Sequence, residues 1–471
     1  MRARQFAILA ALVLAGACRR ELPGPLPQES EDVKRPAAEW LAIEPVRLLR
    51  DYVRIETTAS RGEREGALFL KELLECDGIE TELVCPQPRR CNLLARLPGR
   101  RRQGALLLLN HIDVVEAFAE VWKEAKPFEG TIQRGYLWAR GVYDMKSLGL
   151  AQLLAMRSLK RRGIVPETDI LFLAEADEET GQNLGSAWLL EHRPEWFSGV
   201  ACVLNEGGTD EMILRTLRFW GLETLQAGHG LLEFEAPTAE AIRALEKLDL
   251  PRFPEPSAPH PQVVEGFDML ANHLGHPLTD PLRHLDRVRA NPAELAMLPD
   301  RYACFLETRI HWSGGYAYPP GATGNYRGWV AVSTPPGVSP SPWVEVIQAG
   351  ARAHGVRVLE SLDTGPTEAS PYPTPFTRLL RRVVEAHWPG VPFGPVPTFG
   401  GATTSVHFRR RGIPAYGFDA VPMNITDAAR RHLNDERIYL RDFLGGVDLY
   451  RDLLEEFAVF GGDLSVARSG K

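Results

Sequence analysis

The chain is poor in cysteine and carries no long run of one charge. Six cysteines in 471 residues, with no Cys-x-x-Cys pair, argue against a thiolate zinc site of the usual spacing. There is no extended Lys/Arg block, and the formal net charge is -7. Nucleic acid is therefore not expected as the main partner. The short arginine runs, Arg100 to Arg102 and Arg409 to Arg411, read as solvated surface. No repeat of solenoid length is visible. With 44% hydrophobic and 24% charged residues, the chain also lacks the polar bias of a disordered protein. It is long enough for a large core and more than one domain.

The apolar run at the start, Phe6 to Leu14, is too short to cross a membrane and stay there. Arg2 and Arg4 precede it, and Ala15, Gly16, Ala17 and Cys18 follow, the order of a cleaved export signal. The ending Leu14 to Cys18 resembles a bacterial lipoprotein signal, in which the cysteine becomes the lipidated first residue of the mature chain. Arg19 resembles a signal for outer-membrane sorting. Residues 1–18 are thus expected to be a signal peptide, and 19–38, rich in Pro, Glu and Arg, a tether that buries no core. The expected location is the cell envelope, at the periplasm or outer membrane through a lipid anchor alone, or otherwise outside the cell. Five cysteines remain after Cys18. Cys76, Cys85 and Cys91 are near enough for one disulfide, whose pairing the sequence leaves open.

From Glu44 onward the pattern alternates helix and strand. Helical spacing covers Val46 to Ile55, Glu65 to Leu74 and Lys146 to Arg162. Short apolar runs at Asn92 to Leu97, Ala105 to Leu109, Asp169 to Ala174 and Ala201 to Leu204 read as strands. Such alternation predicts an α/β fold, a mixed and largely parallel sheet covered by helices on both faces. Residues 212–328 are richer in Pro, His and Leu, with a strand expected at Phe305 to Trp312. They read as a smaller α+β domain inserted between catalytic halves at 39–211 and 329–471.

Ligands of parallel sheets sit at the carboxyl ends of the strands, and there the acids and a histidine gather. Asn110-His111-Ile112-Asp113 follows one apolar run, Glu175 to Glu179 a second, and Asn205-Glu206 a third. A divalent metal that activates water needs neutral imidazole and carboxylate ligands, and a metal pair needs one carboxylate to bridge. The available set is His111, Asp144, Glu179, Glu206 and a late His432. Asp113 is placed to fix the imidazole of His111. Of the adjacent pair Glu178 and Glu179, one can ligate while the other handles a proton. Each residue alone has an ordinary reading as a cap or surface group. Three strands ending this way together do not.

The stretches HIDVV, WKEAKPF from Trp122, GYLWARGVYDMK, DEETG, LNEGG and HLNDER resemble the dinuclear zinc hydrolases that include aminoacylase, carboxypeptidase G and carboxypeptidase S. The resemblance implies a zinc-exopeptidase-like catalytic domain with an inserted lid and two Zn2+ per chain. His111 and Glu206 would complete one zinc and Glu179 and His432 the other, bridged by Asp144. Glu178 would be the general base and acid, with Asp113 orienting His111. The peptide between Asp144 and Met145 would be cis. Hydrolysis of an amide bond in a small peptide or an N-acyl amino acid is the implied activity, and the family leaves room for a homodimer.

The lid departs from the family pattern. The Gly-x-x-His-Ser-x-Pro stretch is missing between Glu235 and Thr238. Tyr316 and Ser333 stand where an asparagine and an arginine usually act on the substrate, and Thr404 and Val406 replace an acid and an arginine. A rival reading follows from these losses: a metal-binding envelope lipoprotein without turnover.

Overall fold

A computed structural model of the protein describes residues 27–181, 184–213, 216–274, 279–318, 323–398 and 402–460. The expected signal peptide, Cys18 and the start of the tether lie outside these residues. No described helix is long and apolar enough to cross a membrane.

The centre of the fold is a nine-stranded mixed sheet. Its middle is parallel: strand Arg101–His111 lies between Thr168–Glu175 and Val200–Asn205, and Val200–Asn205 pairs onward with Ala415–Gly417. Leu106, Leu107, Leu108 and Leu109 are all fully buried, because helices cover both faces. On one face, helices Glu44–Val53, Arg64–Cys76, Ser147–Arg161, Pro375–His387 and Leu440–Val459 form the largest apolar cluster. On the other, Ser186–His192 and Ser405–Arg410 pack through Leu189, Leu190 and Phe408. A strand buried on two faces reads as a continuous apolar run rather than an alternating one, so these strands were visible in the sequence.

Sheet membership does not coincide with an insertion at 212–328. Strand Thr216–Gln226 belongs to the main sheet, where it pairs with Phe393–Thr398 in parallel. The helices from Pro261–Leu274 to Asp300–Ala303 pack on that sheet too, through Phe219, Leu225 and Val396. A separate four-stranded antiparallel sheet joins Gly228–Ala236, Arg309–Ala317, Tyr326–Thr334 and Arg357–Asp363. Helices Ala239–Leu245 and Ser341–Ala353 cover one of its faces. The smaller unit therefore runs past residue 328, since long-range pairing decides which sheet a strand joins. The strand expected from Phe305 begins instead at Arg309, and buried Phe305 packs with the helices before it.

Two further features bear on the sequence reading. Cys85 and Cys91 form a disulfide across the first hairpin, leaving Cys76, Cys202 and Cys304 as free thiols. The expected tether folds from Pro27 on, as helices Pro27–Lys34 and Ala37–Leu41. Asp32 is 1% exposed and accepts from Arg441 Nε and Nη2, both at 2.7 Å, and from the Tyr439 hydroxyl. Ion pairs at Asp32 dock the first of these helices and burial of Trp40 the second, and the polar composition before Trp40 is why the stretch read as linker.

Candidate metal centre

Five segments meet at the carboxyl edge of the parallel strands. His111 is the last residue of strand Arg101–His111 and sits opposite Glu175 in the ladder. Glu178 and Glu179 follow Glu175 after a turn at Asp177, whose φ of 69° is left-handed. Aspartate is among the few residues besides glycine that are enriched in such a backbone. The turn is held by Arg90 Nη2 at 2.8 Å and the amide of Leu184 at 2.9 Å, both on the Asp177 carboxylate. Arg90 is itself paired with buried Glu63. Glu206 follows strand Val200–Asn205 directly. Asp144 lies in a tight turn at Val142–Lys146, and the Asp144–Met145 peptide is cis, as the resemblance implies. His432 comes from the loop before strand Arg437–Tyr439.

The side chains from these segments converge on Asp144. His111 Nε2 is 3.1 Å from its Oδ1, and His432 Nε2 is 3.1 Å from its Oδ2. Glu206 Oε1 lies 3.6 Å from His111 Nε2, and Glu179 Oε2 lies 3.1 Å from His432 Nε2. The arrangement is two-sided: one imidazole sits on each oxygen of Asp144, and each imidazole has a glutamate beside it. Ligand atoms of His111, Glu178 and Glu206 fall within 4.8 Å of one another, as do those of His111, Asp144 and Glu179.

Asp113 acts on both sides of this centre. Its backbone carbonyl is 2.9 Å from His111 Nδ1, nearer than its carboxylate at 3.5 Å. The carboxylate instead accepts the amides of Glu178 at 3.2 Å and Glu179 at 3.0 Å. One residue thereby fixes the imidazole and the loop bearing both glutamates.

The electrostatics call for cations. Burial, and then the Asp144 charge, push the Glu206 carboxyl up to about 8. Burial also drives Glu178 well above the usual carboxylate range, helped by Glu206, Glu179 and Asp144. Burial alone would lower His111, yet its contacts with Asp113 and Asp144 and the charge of Glu206 outweigh that and hold it well above an ordinary histidine. Carboxylates packed this closely repel, and imidazoles are drawn to protonate beside them. Divalent ions relieve both effects, and the imidazole and carboxylate donors are the kinds that zinc takes. The residues fit such a group.

Several residues that support the site are not singled out by sequence reasoning. Glu436, 1% exposed, accepts from Arg140 Nη1 at 2.7 Å, Gly141 N at 3.0 Å, Tyr143 N at 2.9 Å and Asp144 N at 3.3 Å. It ties the Asp144 turn to the His432 segment. Asp435 accepts the amides of Lys123 and Glu124, both at 2.9 Å. Their only signal was membership of the HLNDER stretch. His407 lies on helix Ser405–Arg410 and is part of neither ligand group.

Comparisons with known proteins bear on this geometry. Residues 107–456 match the family described as Peptidase family M20/M25/M40. Aminoacylase-1 of Sus scrofa is 26% identical over 436 residues, covering 88% of this chain and 95% of that protein. A probable succinyl-diaminopimelate desuccinylase of Staphylococcus epidermidis is 36% identical over 139 residues, 29% of this chain and 33% of that protein. Among solved structures, human carnosine dipeptidase 1 superposes with a TM-score of 0.66 at 16% identity, covering 92% of this chain and 99% of that one. An M20 family metallo-carboxypeptidase from Sulfolobus solfataricus gives 0.63 at 14% identity, covering 89% and 100%. The structural likenesses show a shared fold. The family match runs from Leu107 to Glu456, through every strand end and loop that carries a site residue, and on that ground the chain belongs to peptidase family M20/M25/M40 and is a hydrolase.

Proposed function

We propose that the protein hydrolyses an amide bond in a small peptide or an N-acyl amino acid, using two zinc ions held by His111, Asp144, Glu179, Glu206 and His432. The observation that carries this reading is the pair of 3.1 Å approaches of His111 and His432 to the two oxygens of Asp144. In it, His111 and Glu206 would hold one ion and Glu179 and His432 the other, with Asp144 available to both. Divalent ions in this place supply a water acidic enough to deprotonate near neutral pH and polarisation of the amide carbonyl. Glu178 takes the proton of the attacking water at its carboxylate and returns it to the leaving nitrogen. Asp113 keeps His111 in one tautomer through its carbonyl, and holds Glu178 in place through the amide bond to its own carboxylate.

The test is turnover of a panel of dipeptides and N-acyl amino acids, with and without chelator, alongside Glu178→Gln. The reading expects chelator-sensitive turnover that falls by roughly a hundredfold or more in the variant, in line with the loss of a general acid-base group. Bound zinc with no cleavage of any panel member, and no effect of Glu178→Gln, would instead support a binding protein without turnover.

The same reading places the protein in the cell envelope, anchored through lipid on Cys18, or secreted if that cysteine stays unmodified. A Cys85–Cys91 disulfide suits an oxidising compartment. Cys18→Ser is expected to move the protein from the membrane fraction to the soluble one, and an unchanged distribution argues against the anchor. A homodimer is part of the proposal, and light scattering at the mass of one chain would dismiss it.

A further inference from the structure

The residue before His432 brings a charge to the site that the reaction outlined above leaves unused. His432 has a left-handed backbone with φ 59°, and two consecutive side chains reach the same oxygen of Asp144. Arg431 Nε is 3.6 Å and His432 Nε2 3.1 Å from Oδ2. The two approaches differ in kind. Both oxygens of Asp144 already have an imidazole at hydrogen-bond distance, whereas 3.6 Å is beyond that reach. Asp144 therefore does not depend on Arg431 for its orientation.

Tyr143 positions the guanidinium instead. Arg431 lies over its ring with the guanidinium carbon 5.1 Å from the centroid, and Nη2 donates to the hydroxyl at 3.4 Å. That hydroxyl is also bonded to Asp419, whose amide donates to Gly207 O at 3.0 Å, one residue past Glu206. The guanidinium is thus set in place before any ligand arrives. Even so, 45% of the side chain remains open to solvent. Among the described residues it is the one permanently charged cation within ion-pair distance of Asp144, Glu179 or Glu206. A fixed, planar guanidinium on a half-exposed side chain suits an anionic oxygen pair arriving from solvent.

We infer that Arg431 binds the free carboxylate of the substrate, which makes the substrate an N-acyl α-amino acid or the C-terminal residue of a short peptide. This rests on the hydrolase reading above and adds the residue that recognises the substrate's carboxylate. The reach agrees: an α-carboxylate carbon is three bonds from the attacked carbonyl carbon, roughly 3–4 Å away by standard backbone dimensions. Arg431 lies 3.6 Å from the carboxylate that the two ions would share. A substrate whose only carboxylate is remote, or one that has none, would not engage it.

The experiment compares N-acetyl-L-leucine with N-acetyl-L-leucinamide, which lacks the negative charge. Turnover is measured on the zinc-loaded enzyme, and binding by calorimetry on the zinc-loaded Glu178→Gln protein, each with and without Arg431→Gln or Arg431→Lys. The expected result is a wild-type preference for the acid that drops by about 10- to 100-fold in Arg431→Gln, the span of one charge-assisted hydrogen bond. Arg431→Lys recovers part of it, and zinc content stays at the wild-type level. An acid-to-amide ratio that does not change in Arg431→Gln overturns the inference. Loss of zinc together with an equal fall for both compounds overturns it as well, because Arg431 would then act only through the metal site. If the wild type cleaves neither compound nor any member of the dipeptide and N-acyl amino acid panel but binding still shows the Arg431-dependent preference, the hydrolase reading fails and the carboxylate site stands.

Discussion

Replacing Glu436 with glutamine removes one charge and no volume, yet it strikes the junction of two segments that carry site residues. The carboxylate takes four donors: Arg140 Nη1 and Gly141 N on Oε2, Tyr143 N and Asp144 N on Oε1. A glutamine keeps one oxygen, which can serve one pair, and turns an amide NH2 toward the other. Two bonds to a charged acceptor disappear, each worth about 1.5–3 kcal/mol. If the NH2 replaces Oε2, the 2%-exposed Arg140 also loses its partner, and breaking such a buried pair costs about 3–5 kcal/mol. The two ways of counting agree. At about 2 °C per kcal/mol, the low end for large domains, the melting temperature of the metal-free protein should fall by roughly 6–10 °C. Because Glu436 fixes the Asp144 amide, zinc affinity should fall by about 10- to 100-fold as well, the usual cost of losing a group that orients a ligand. Thermal melts followed by tryptophan fluorescence and competition against a chromophoric chelator read the two effects. A melting temperature within about 1 °C of wild type, with unchanged zinc affinity, would refute the assignment of Glu436 as the tie between the Asp144 turn and the His432 segment.

Other perturbations probe other parts of the fold. Burial raises the Asp32 carboxyl, but its bonds to Arg441 and Tyr439 outweigh that and hold it below the usual value. Its folded pKa being depressed, its stabilisation is present above the unfolded value of about 3.9 and is lost as pH falls through the folded value. Asp32→Asn should therefore speed proteolysis within 27–41 at neutral pH, and the difference from wild type should vanish in strong acid. Burial lowers His229 to about 4, and burial with Arg410 and Arg411 lowers His407 to about 4. Unfolding then takes up protons below about 6.5, so stability falls as pH drops from 6.5 toward 4 and levels off beneath. The double variant His229→Gln/His407→Gln should flatten that slope in urea melts, and an identical slope would show that other groups govern it. Leu108 is fully buried in the strand that ends at His111, and Leu108→Ala should destabilise the fold by about 2–5 kcal/mol. Differential scanning calorimetry should show the main transition shifted down.

What the sequence made legible follows from what kind of signal each feature leaves. Ala105 to Leu109 could be read as a strand because burial on both faces demands an unbroken apolar run. The ends of such strands then located His111, Glu178, Glu179 and Glu206, which the structure brings together. Strand Arg357–Asp363 left no such trace, since its exposed and half-buried residues alternate irregularly. Its membership in the smaller sheet is fixed by Gly228–Ala236, far away in the chain. Glu436, Arg90 and Asp177 were hidden for a different reason: a buried carboxylate or guanidinium looks like surface until its partner is known. Asp32 misled in the same way, as an acid in a polar stretch that proves to be a docking point. Arg431 would have passed for one more basic residue in the pair Arg430-Arg431, and only its place over Tyr143 sets it apart.

The account as a whole depends on whether two ions share Asp144. Anomalous X-ray diffraction at the zinc edge, on crystals of the zinc-loaded protein, addresses that directly. The account predicts two peaks, one between His111 and Glu206 and one between Glu179 and His432, with the Asp144 carboxylate between them. A single peak, or none within reach of Asp144, would contradict it.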